Sequence, residues 1–284
     1  MERTNFNQRM HPLNKYLNHR PDYLALSKKY HWFAKHVKGR ALDYSSDEAC
    51  NALVKVLLLE DFNIKYWKIP DGYLVPTVPQ RLNYLCWIKE ILQKNDPVIL
   101  DIGTGASLIY PLLGVAEFNW NFVATDIDEI AIQNARKIIE KNELEGKIML
   151  IKVEKTQIIR EITQNFDVSI CNPPFYSSDY NAESLNGYGG RSNEMKTPGG
   201  ECKFIGDYID ESWGKRQEVE WFTTLVGVKS HLKIMMDYLN TQFSNVLIKT
   251  TTFYQGKTLR WGLAWKFIEK TITIEEDNSS QSDN

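Results

Sequence analysis

The sequence predicts an α/β fold, in which strands and helices alternate around one sheet. Three apolar runs, at residues 97–100, 122–125 and 166–171, have the length and composition of buried strands. Each run ends in a different polar signal: two glycines follow the first, Asp126 follows the second, and Asn172-Pro173-Pro174-Phe175 follows the third. A helical pattern separates the first two runs. This order of strand, glycine loop, helix, strand and acid is typical of a sheet that binds a nucleoside.

The glycine loop, residues 101–107, contains Gly103 and Gly105 between the first strand and the next helix. Glycine lets the backbone turn tightly and approach a ligand closely, while N–H groups at the start of the helix face that ligand. The dinucleotide-binding fingerprint has a third glycine where this chain has Leu108. Its absence argues against a nicotinamide-binding loop.

Asp126 ends the second predicted strand, where a carboxylate can accept both hydroxyls of a ribose. Two residues later, Asp128 is a suitable N-cap for the following helix. The apolar side of that helix consists of Ile132, Ala135, Ile138 and Ile139.

The Asn-Pro-Pro-Phe sequence is the strongest indication of a catalytic site. Asn172 precedes a proline and is therefore extended, with its amide held in one direction. Pro173 and Pro174 have no N–H group, so carbonyl acceptors dominate their surroundings, and Phe175 adds a flat apolar face. These groups together can hold a planar ring with an exocyclic amine, such as adenine. The same four residues could also simply end a strand, and the upstream glycine loop favours the functional interpretation.

An amphipathic helix is predicted upstream of the glycine loop. Pro79 suits its first turn, and its apolar side consists of Leu82, Leu85, Ile88 and Leu92. Arg81 lies one turn into this helix, where a guanidinium could bind a carboxylate of a ligand or simply face solvent.

Composition limits the class of protein. The chain has 284 residues, 43% of them hydrophobic and 25% charged, which fits one large globular domain with or without an appendage. It has no apolar run of membrane-spanning length and no signal peptide, so we expect a soluble intracellular protein without a membrane partner. The four cysteines are scattered and the histidines lack ligand spacing, so we expect reduced thiols and no metal.

Residues 1–40 combine basic charge with aromatic side chains. They include nine Lys or Arg residues and four of the five histidines, against two acids. Such a segment suits a phosphate backbone with accessible bases, although a solvated helical face is the alternative. The candidate RNA contacts here are Arg9, His11, Asn14 and Lys15.

Two later segments also suggest contacts with RNA. Residues 176–203 contain five glycines and Arg191, without apolar periodicity, so we expect a mobile loop that becomes ordered on RNA or stays disordered. Residues 246–250 predict a strand and residues 251–267 a hairpin, with Lys257 and Arg260 as candidate phosphate contacts. The acidic residues 271–284 are expected to be a disordered tail.

The order of these parts resembles that of the class I S-adenosylmethionine-dependent methyltransferases that methylate amino groups. Several stretches are similar to the methyltransferase-like protein 16 family and to its bacterial relatives, the 23S rRNA adenine-N6 methyltransferases. The resemblance extends over residues 10–268, and the stretches that carry it are 10–16, 76–84, 101–107, 110–114, 171–175, 256–261 and 264–265.

The resemblance implies a Rossmann-like, seven-stranded, mostly parallel sheet with an antiparallel C-terminal hairpin. It also implies a basic, mainly helical RNA-binding extension at residues 1–75 and a methyltransferase domain at residues 76–270. S-adenosylmethionine is the implied cofactor, with Arg81 binding its carboxylate. Its other implied ligands are Gly103, Gly105, Ser107, Asp126, Thr156 and Asn172. Lys155 and Thr156 correspond to a loop that can occlude the cofactor pocket.

The implied activity is N6-methylation of an unpaired adenine in a structured RNA, with Asn172, Pro173, Pro174 and Phe175 as the catalytic group. U6 small nuclear RNA is the expected substrate, and 23S-type rRNA is the alternative. We expect a monomer that does not bind DNA, in the nucleus, or in the cytoplasm for an rRNA enzyme. A glutamine-directed protein methyltransferase, a nicotinamide dehydrogenase and a non-catalytic RNA-binding protein remain as rivals.

Overall fold

The computed structural model describes residues 10–154, 158–160, 163–177, 190, 192–255 and 258–268. The described strands are β1 (Val37–Lys38), β2 (Ala41–Leu42), β3 (Val98–Ile102), β4 (Asn121–Asp126), β5 (Ile148–Lys152), β6 (Phe166–Cys171), β7 (Tyr176–Ser177), β8 (Lys196–Thr197), β9 (Val219–Val226), β10 (Val246–Gln255) and β11 (Thr258–Phe267). The described helices are α1 (Tyr23–Lys29), α2 (His31–Ala34), α3 (Asp47–Phe62), α4 (Val78–Leu92), α5 (Ile109–Phe118), α6 (Glu129–Lys141), α7 (Ser192–Met195), α8 (Gly200–Gly214) and α9 (Lys229–Gln242).

The central sheet has seven strands in the order β10-β11-β9-β6-β3-β4-β5. The pairs from β9 to β5 are parallel, whereas β11 is antiparallel to both β9 and β10. The predicted mostly parallel sheet with an antiparallel C-terminal hairpin is therefore confirmed. β10 is one continuous strand, because its pairing with β11 extends back to Val246. The separate strand predicted at residues 246–250 is thus the first half of β10, the first strand of the hairpin.

Helices cover both faces of the sheet. Side chains of α4, α5 and α6 form one core with one face, and those of α8 and α9 form a second core with the other. The predicted N-cap Asp128 accepts a hydrogen bond from the N–H of Ile130, and all four predicted apolar residues of α6 are buried. Pro79 lies in the first turn of α4, as expected. The helix cap, the apolar side of α6 and the position of Pro79 could be predicted from the sequence, because capping and hydrophobic periodicity depend on residues within one or two helical turns.

The first core continues across residue 75 into the N-terminal extension. Tyr16, Phe33 and Leu58 of the extension belong to the same buried cluster as Leu82 and Leu85 of α4. Within residues 10–75 the helices are α1, α2 and α3, with the short β1-β2 ribbon between α2 and α3. Among the described residues, no helix combines the length and apolar character that crossing a membrane requires.

The predicted loop at 176–203 is too long at its C-terminal end. Gly199 and Gly200 have φ values of +78° and +71°, and α8 begins at Gly200. The apolar side of this helix, with Ile205 and Tyr208, begins only after these glycines, which is why periodicity did not reveal its first turn.

Candidate active site

Three strand ends meet at one edge of the sheet. Ile102 pairs with Thr125 of β4 on one side and with Cys171 of β6 on the other. The next residues along the chain, Gly103, Asp126 and Asn172, therefore begin at the same level. The chain runs from β3 towards β4 and β5, and then returns to the other side of β3 as β6. Ligands of open α/β sheets bind at such a switch point.

A cavity of about 700 Å³ lies at this edge. Its lining includes eight residues that the sequence predicted for the site: Arg81, Gly103, Gly105, Ser107, Asp126, Asn172, Pro173 and Pro174. The structure thus brings together nearly all of the predicted cofactor and catalytic residues that it describes.

The glycine loop is held from two sides. Asp126 Oδ2 accepts the N–H of Gly105 at 2.8 Å, and the indole N–H of Trp67 donates to the carbonyl of Ser107 at 2.9 Å. Gly103 and Gly105 have φ values of +69° and +66°, which favour glycine. Burial raises the pKa of Asp126, and the hydrogen bonds from the backbone of Asp128 and Gly105 offset part of that rise. Asp126 therefore both shapes the loop and presents a carboxylate to the cavity.

Asp101, the fourth residue of β3, has an unsatisfied buried carboxyl group. It is 1% exposed, and within the described residues no hydrogen bond of ordinary geometry reaches either of its oxygens, although the Thr104 hydroxyl is close enough to affect its pKa. Burial raises the pKa of Asp101 to about 7, and the nearby Thr104 hydroxyl only partly offsets the rise. A buried carboxylate without a partner is costly, so this position suits a cationic or hydrogen-donating ligand group.

Arg81 connects the cavity to the catalytic motif. Its Nη1 donates to the hydroxyl of Tyr110 at 2.9 Å and to Asn172 Oδ1 at 3.1 Å. Burial raises the pKa of Tyr110 to about 12, so its hydroxyl stays protonated. Arg81 thereby fixes the orientation of the Asn172 amide. This contact was not predicted, because helix periodicity places Arg81 on a face but does not identify its partner.

Phe175 lies next to Arg260 of β11. Its half-buried ring has the Arg260 guanidinium 4.9 Å from its centroid. Burial lowers the pKa of Arg260. Arg260, which the sequence suggested as a phosphate contact, is therefore also part of the environment of the aromatic ring.

Residues 11–15 anchor the extension to α4 and α5. Asn14 is 2% exposed, and its amide donates to the Pro79 carbonyl at 2.8 Å. His11 Nε2 lies 2.8 Å from Glu90, and Lys15 Nζ lies 2.7 Å from Glu117. Asn14 thus has a structural role in place of the predicted RNA contact, because its amide is buried and already hydrogen-bonded.

Five predicted residues lie outside the described residues: Arg9, Lys155, Thr156, Arg191 and Lys257. Within the described ranges, no group of three or more His, Cys, Asp or Glu side chains is arranged to hold a metal ion.

Glu194 of α7 is a site residue that the sequence did not indicate. Its Oε2 accepts the N–H of Leu74 at 3.0 Å, and its Oε1 lies 3.6 Å from the position that a Cβ on Gly105 would occupy. Glu194 therefore lines the cavity and connects the segment at Leu74 to the glycine loop. No local pattern marks it, since it lies in the glycine-rich segment far from the strand ends. Asp101, in contrast, could have been found as a charged residue inside a buried strand.

Comparison with known proteins agrees with this geometry. A family model described as RNA methyltransferase matches residues 4–269. The RNA N(6)-adenosine-methyltransferase mettl16 of Danio rerio is 36% identical over 93% of this chain and 60% of its own length. The U6 small nuclear RNA (adenine-(43)-N(6))-methyltransferase of Caenorhabditis briggsae is 35% identical over 96% of this chain and 65% of its own length. The ribosomal RNA large subunit methyltransferase F of Psychrobacter sp. (strain PRwf-1) is 35% identical over 91% of this chain and 93% of its own length.

Solved structures match as well. The hMettl16 catalytic domain in complex with MAT2A 3'UTR hairpin 1 has a TM-score of 0.84 and 34% identity, covering 92% of this chain and 96% of that one. The N-terminal domain of human METTL16 in complex with SAH has a TM-score of 0.77 and 34% identity, covering 92% and 99%.

The chain spans 60% of the length of the Danio relative and 65% of that of the Caenorhabditis relative. The family match, in contrast, extends over nearly all of this sequence and includes every strand of the sheet. The protein belongs to this family of RNA methyltransferases.

Proposed function

We propose that this protein transfers a methyl group from S-adenosylmethionine to N6 of an unpaired adenine in a structured RNA. The observation that carries the proposal is the position of Asn172-Pro173-Pro174 in the wall of the cavity, with the Asn172 amide oriented by Arg81. The mettl16 and U6 methyltransferase relatives support this activity by their names.

The cavity fits the cofactor chemically. The Arg81 guanidinium lines the cavity and suits the carboxylate of S-adenosylmethionine, and the carboxyl group of Asp101, one residue before the cavity-lining Ile102, suits its ammonium group. Asp126 at the end of β4 suits the ribose hydroxyls. When bound, S-adenosylmethionine supplies a methyl group that its sulfonium has already activated.

The chain's own residues mainly position the acceptor base. An adenine amine is a poor nucleophile because its lone pair is delocalised into the ring. Asn172 Oδ1 and the Pro173 carbonyl would accept the two amine hydrogens and favour a pyramidal nitrogen. Phe175 would stack on the base, which must be unpaired or flipped out to reach it. The proton can leave to water once the nitrogen is cationic, so no strong base is required.

The RNA surface includes the exposed basic side chains of the extension, Lys28, Lys35, Lys38 and Arg40. Arg9, His11, Lys15, Lys155, Arg191, Lys257 and Arg260 are further proposed contacts, and Thr156 is a proposed cofactor ligand. U6 small nuclear RNA is the proposed substrate, which the name of the Caenorhabditis relative supports. We expect a monomeric, nuclear enzyme that does not act on DNA.

A large-subunit ribosomal RNA is the second candidate substrate. The name of the Psychrobacter relative, a ribosomal RNA large subunit methyltransferase, supports it. A cytoplasmic location would accompany this substrate.

A direct comparison tests the proposal. Purified protein is incubated with labelled S-adenosylmethionine and either a U6 RNA fragment that contains the adenine named for the Caenorhabditis enzyme or a 23S rRNA fragment. Digestion to nucleosides and mass spectrometry identify the product. N6-methyladenosine in the U6 fragment supports the primary proposal, and methylation of only the 23S fragment supports the alternative. Binding of both RNAs without any methyl transfer would contradict catalysis.

A further inference from the structure

The aromatic ring of the catalytic motif rests on a glycine backbone. Gly227 directly follows β9, and a Cβ there would lie 2.7 Å from Phe175 Cδ1 and 3.3 Å from Phe175 Cε1. The ring edge therefore touches the main chain at this residue, and the guanidinium of Arg260 lies over a ring face. Any shift of Gly227 would move the ring.

Gly227 is held by a buried carboxylate. Glu201, the second residue of α8, has a side chain with 0% exposure. Its Oε1 accepts the N–H of Gly227 at 2.5 Å, and its Oε2 lies 2.6 Å from His231 Nδ1 in the first turn of α9. A charge buried to this degree is tolerated only with good partners, so the geometry of all three residues is tightly linked.

We propose that Glu201 and His231 are positioning residues that hold Gly227 behind Phe175 and so set the place where the substrate base stacks. This inference rests on the proposed RNA adenine methyltransferase function. Methyl transfer depends on alignment of the amine with the methyl group, and a displacement near 1 Å can lower a rate by roughly 100-fold. The three residues would therefore influence turnover without touching the RNA or the cofactor.

A carboxylate at the opposite end of the sheet provides a matched control. Asp167 of β6 has a largely buried side chain, and its Oδ2 accepts the N–H of Val98 at 2.8 Å, where β3 and β6 begin. Asp167 is not among the residues that line the cavity. A second control is Gly114 of α5, where a Cβ would lie 2.3 Å from Phe122 Cζ in the core. It reproduces a glycine-to-ring clash away from the catalytic motif.

The test uses the full chain and a U6 RNA fragment as the probe. Glu201→Gln and Gly227→Ala are expected to lower kcat at least roughly tenfold, with KM for RNA and Kd for S-adenosylmethionine within about threefold of the wild type. Asp167→Asn and Gly114→Ala are expected to lower the thermal midpoint while keeping kcat within about threefold of the wild type.

A double-mutant cycle separates positioning from general stability. If Glu201 acts through Phe175, Glu201→Gln should have almost no further effect on kcat in a Phe175→Ala background. Full additivity of the two losses, or a wild-type kcat for a folded Gly227→Ala variant, would overturn the positioning role. If the wild-type protein itself transfers no methyl group, the proposed function fails and this inference fails with it. An active wild type with an additive cycle refutes only the inference.

Discussion

Asp101→Asn should make the protein without ligand more stable at neutral and alkaline pH. The carboxyl group is fully buried without a partner in the described residues, and its pKa rises from the usual 3.8 to about 7. Between these two pH values the unfolded chain releases the proton while the folded chain keeps it. Stability therefore falls as pH rises through this window, and the loss is complete above about pH 8, where it amounts to roughly 4 kcal/mol.

Urea unfolding at intervals between pH 4.5 and 8.5 measures this effect. The free energy of unfolding of the wild type, relative to Asp101→Asn, should decrease across the range by a few kcal/mol. Asp96→Asn removes an exposed carboxylate just before the same strand and should leave the pH dependence of the wild type intact. S-adenosylmethionine should reduce the difference at pH 8 if its ammonium group pairs with Asp101. Parallel pH profiles for the wild type and Asp101→Asn would refute a buried, unpaired carboxyl group.

Three further substitutions test other contacts. Arg81→Ala should weaken cofactor binding in calorimetry and lower kcat. Arg81→Lys should not restore kcat, because a single ammonium group cannot make the paired hydrogen bonds of a guanidinium. A wild-type kcat for Arg81→Lys would contradict this prediction. Glu194→Ala should weaken cofactor binding by roughly 1 kcal/mol, about fivefold, because it removes a charged hydrogen-bond acceptor from the cavity wall. An unchanged Kd for S-adenosylmethionine would exclude that role. Asn14→Ala should lower the free energy of unfolding by about 1–3 kcal/mol and leave RNA affinity unchanged in filter binding. A loss of RNA affinity without a loss of stability would instead support Asn14 as an RNA contact.

The sequence predicts candidate site residues best where their position follows directly from the end of a strand. The glycine loop, Asp126 and the Asn-Pro-Pro-Phe motif all follow strand ends, and parallel strands bring such ends together without further information. The cap at Asp128 and the apolar side of α6 were equally local.

Sequence could not predict contacts that depend on tertiary packing. Asn14 looked like an RNA ligand because it lies in a basic, aromatic segment, but its buried amide donates to the Pro79 carbonyl and anchors that segment on α4. No local sequence pattern marks Glu201 or Glu194, and only the packing of α7 and α8 beside the strand ends gives them partners.

The catalytic role of the Asn172 amide is the central claim, and a single-turnover measurement tests it most directly. Asn172→Ala is compared with the wild type at saturating S-adenosylmethionine and U6 RNA fragment, with RNA affinity measured alongside. The account predicts a loss of the methyl-transfer rate of roughly 100-fold or more with RNA affinity within about threefold of the wild type. An Asn172→Ala variant that transfers the methyl group at the wild-type rate would contradict it.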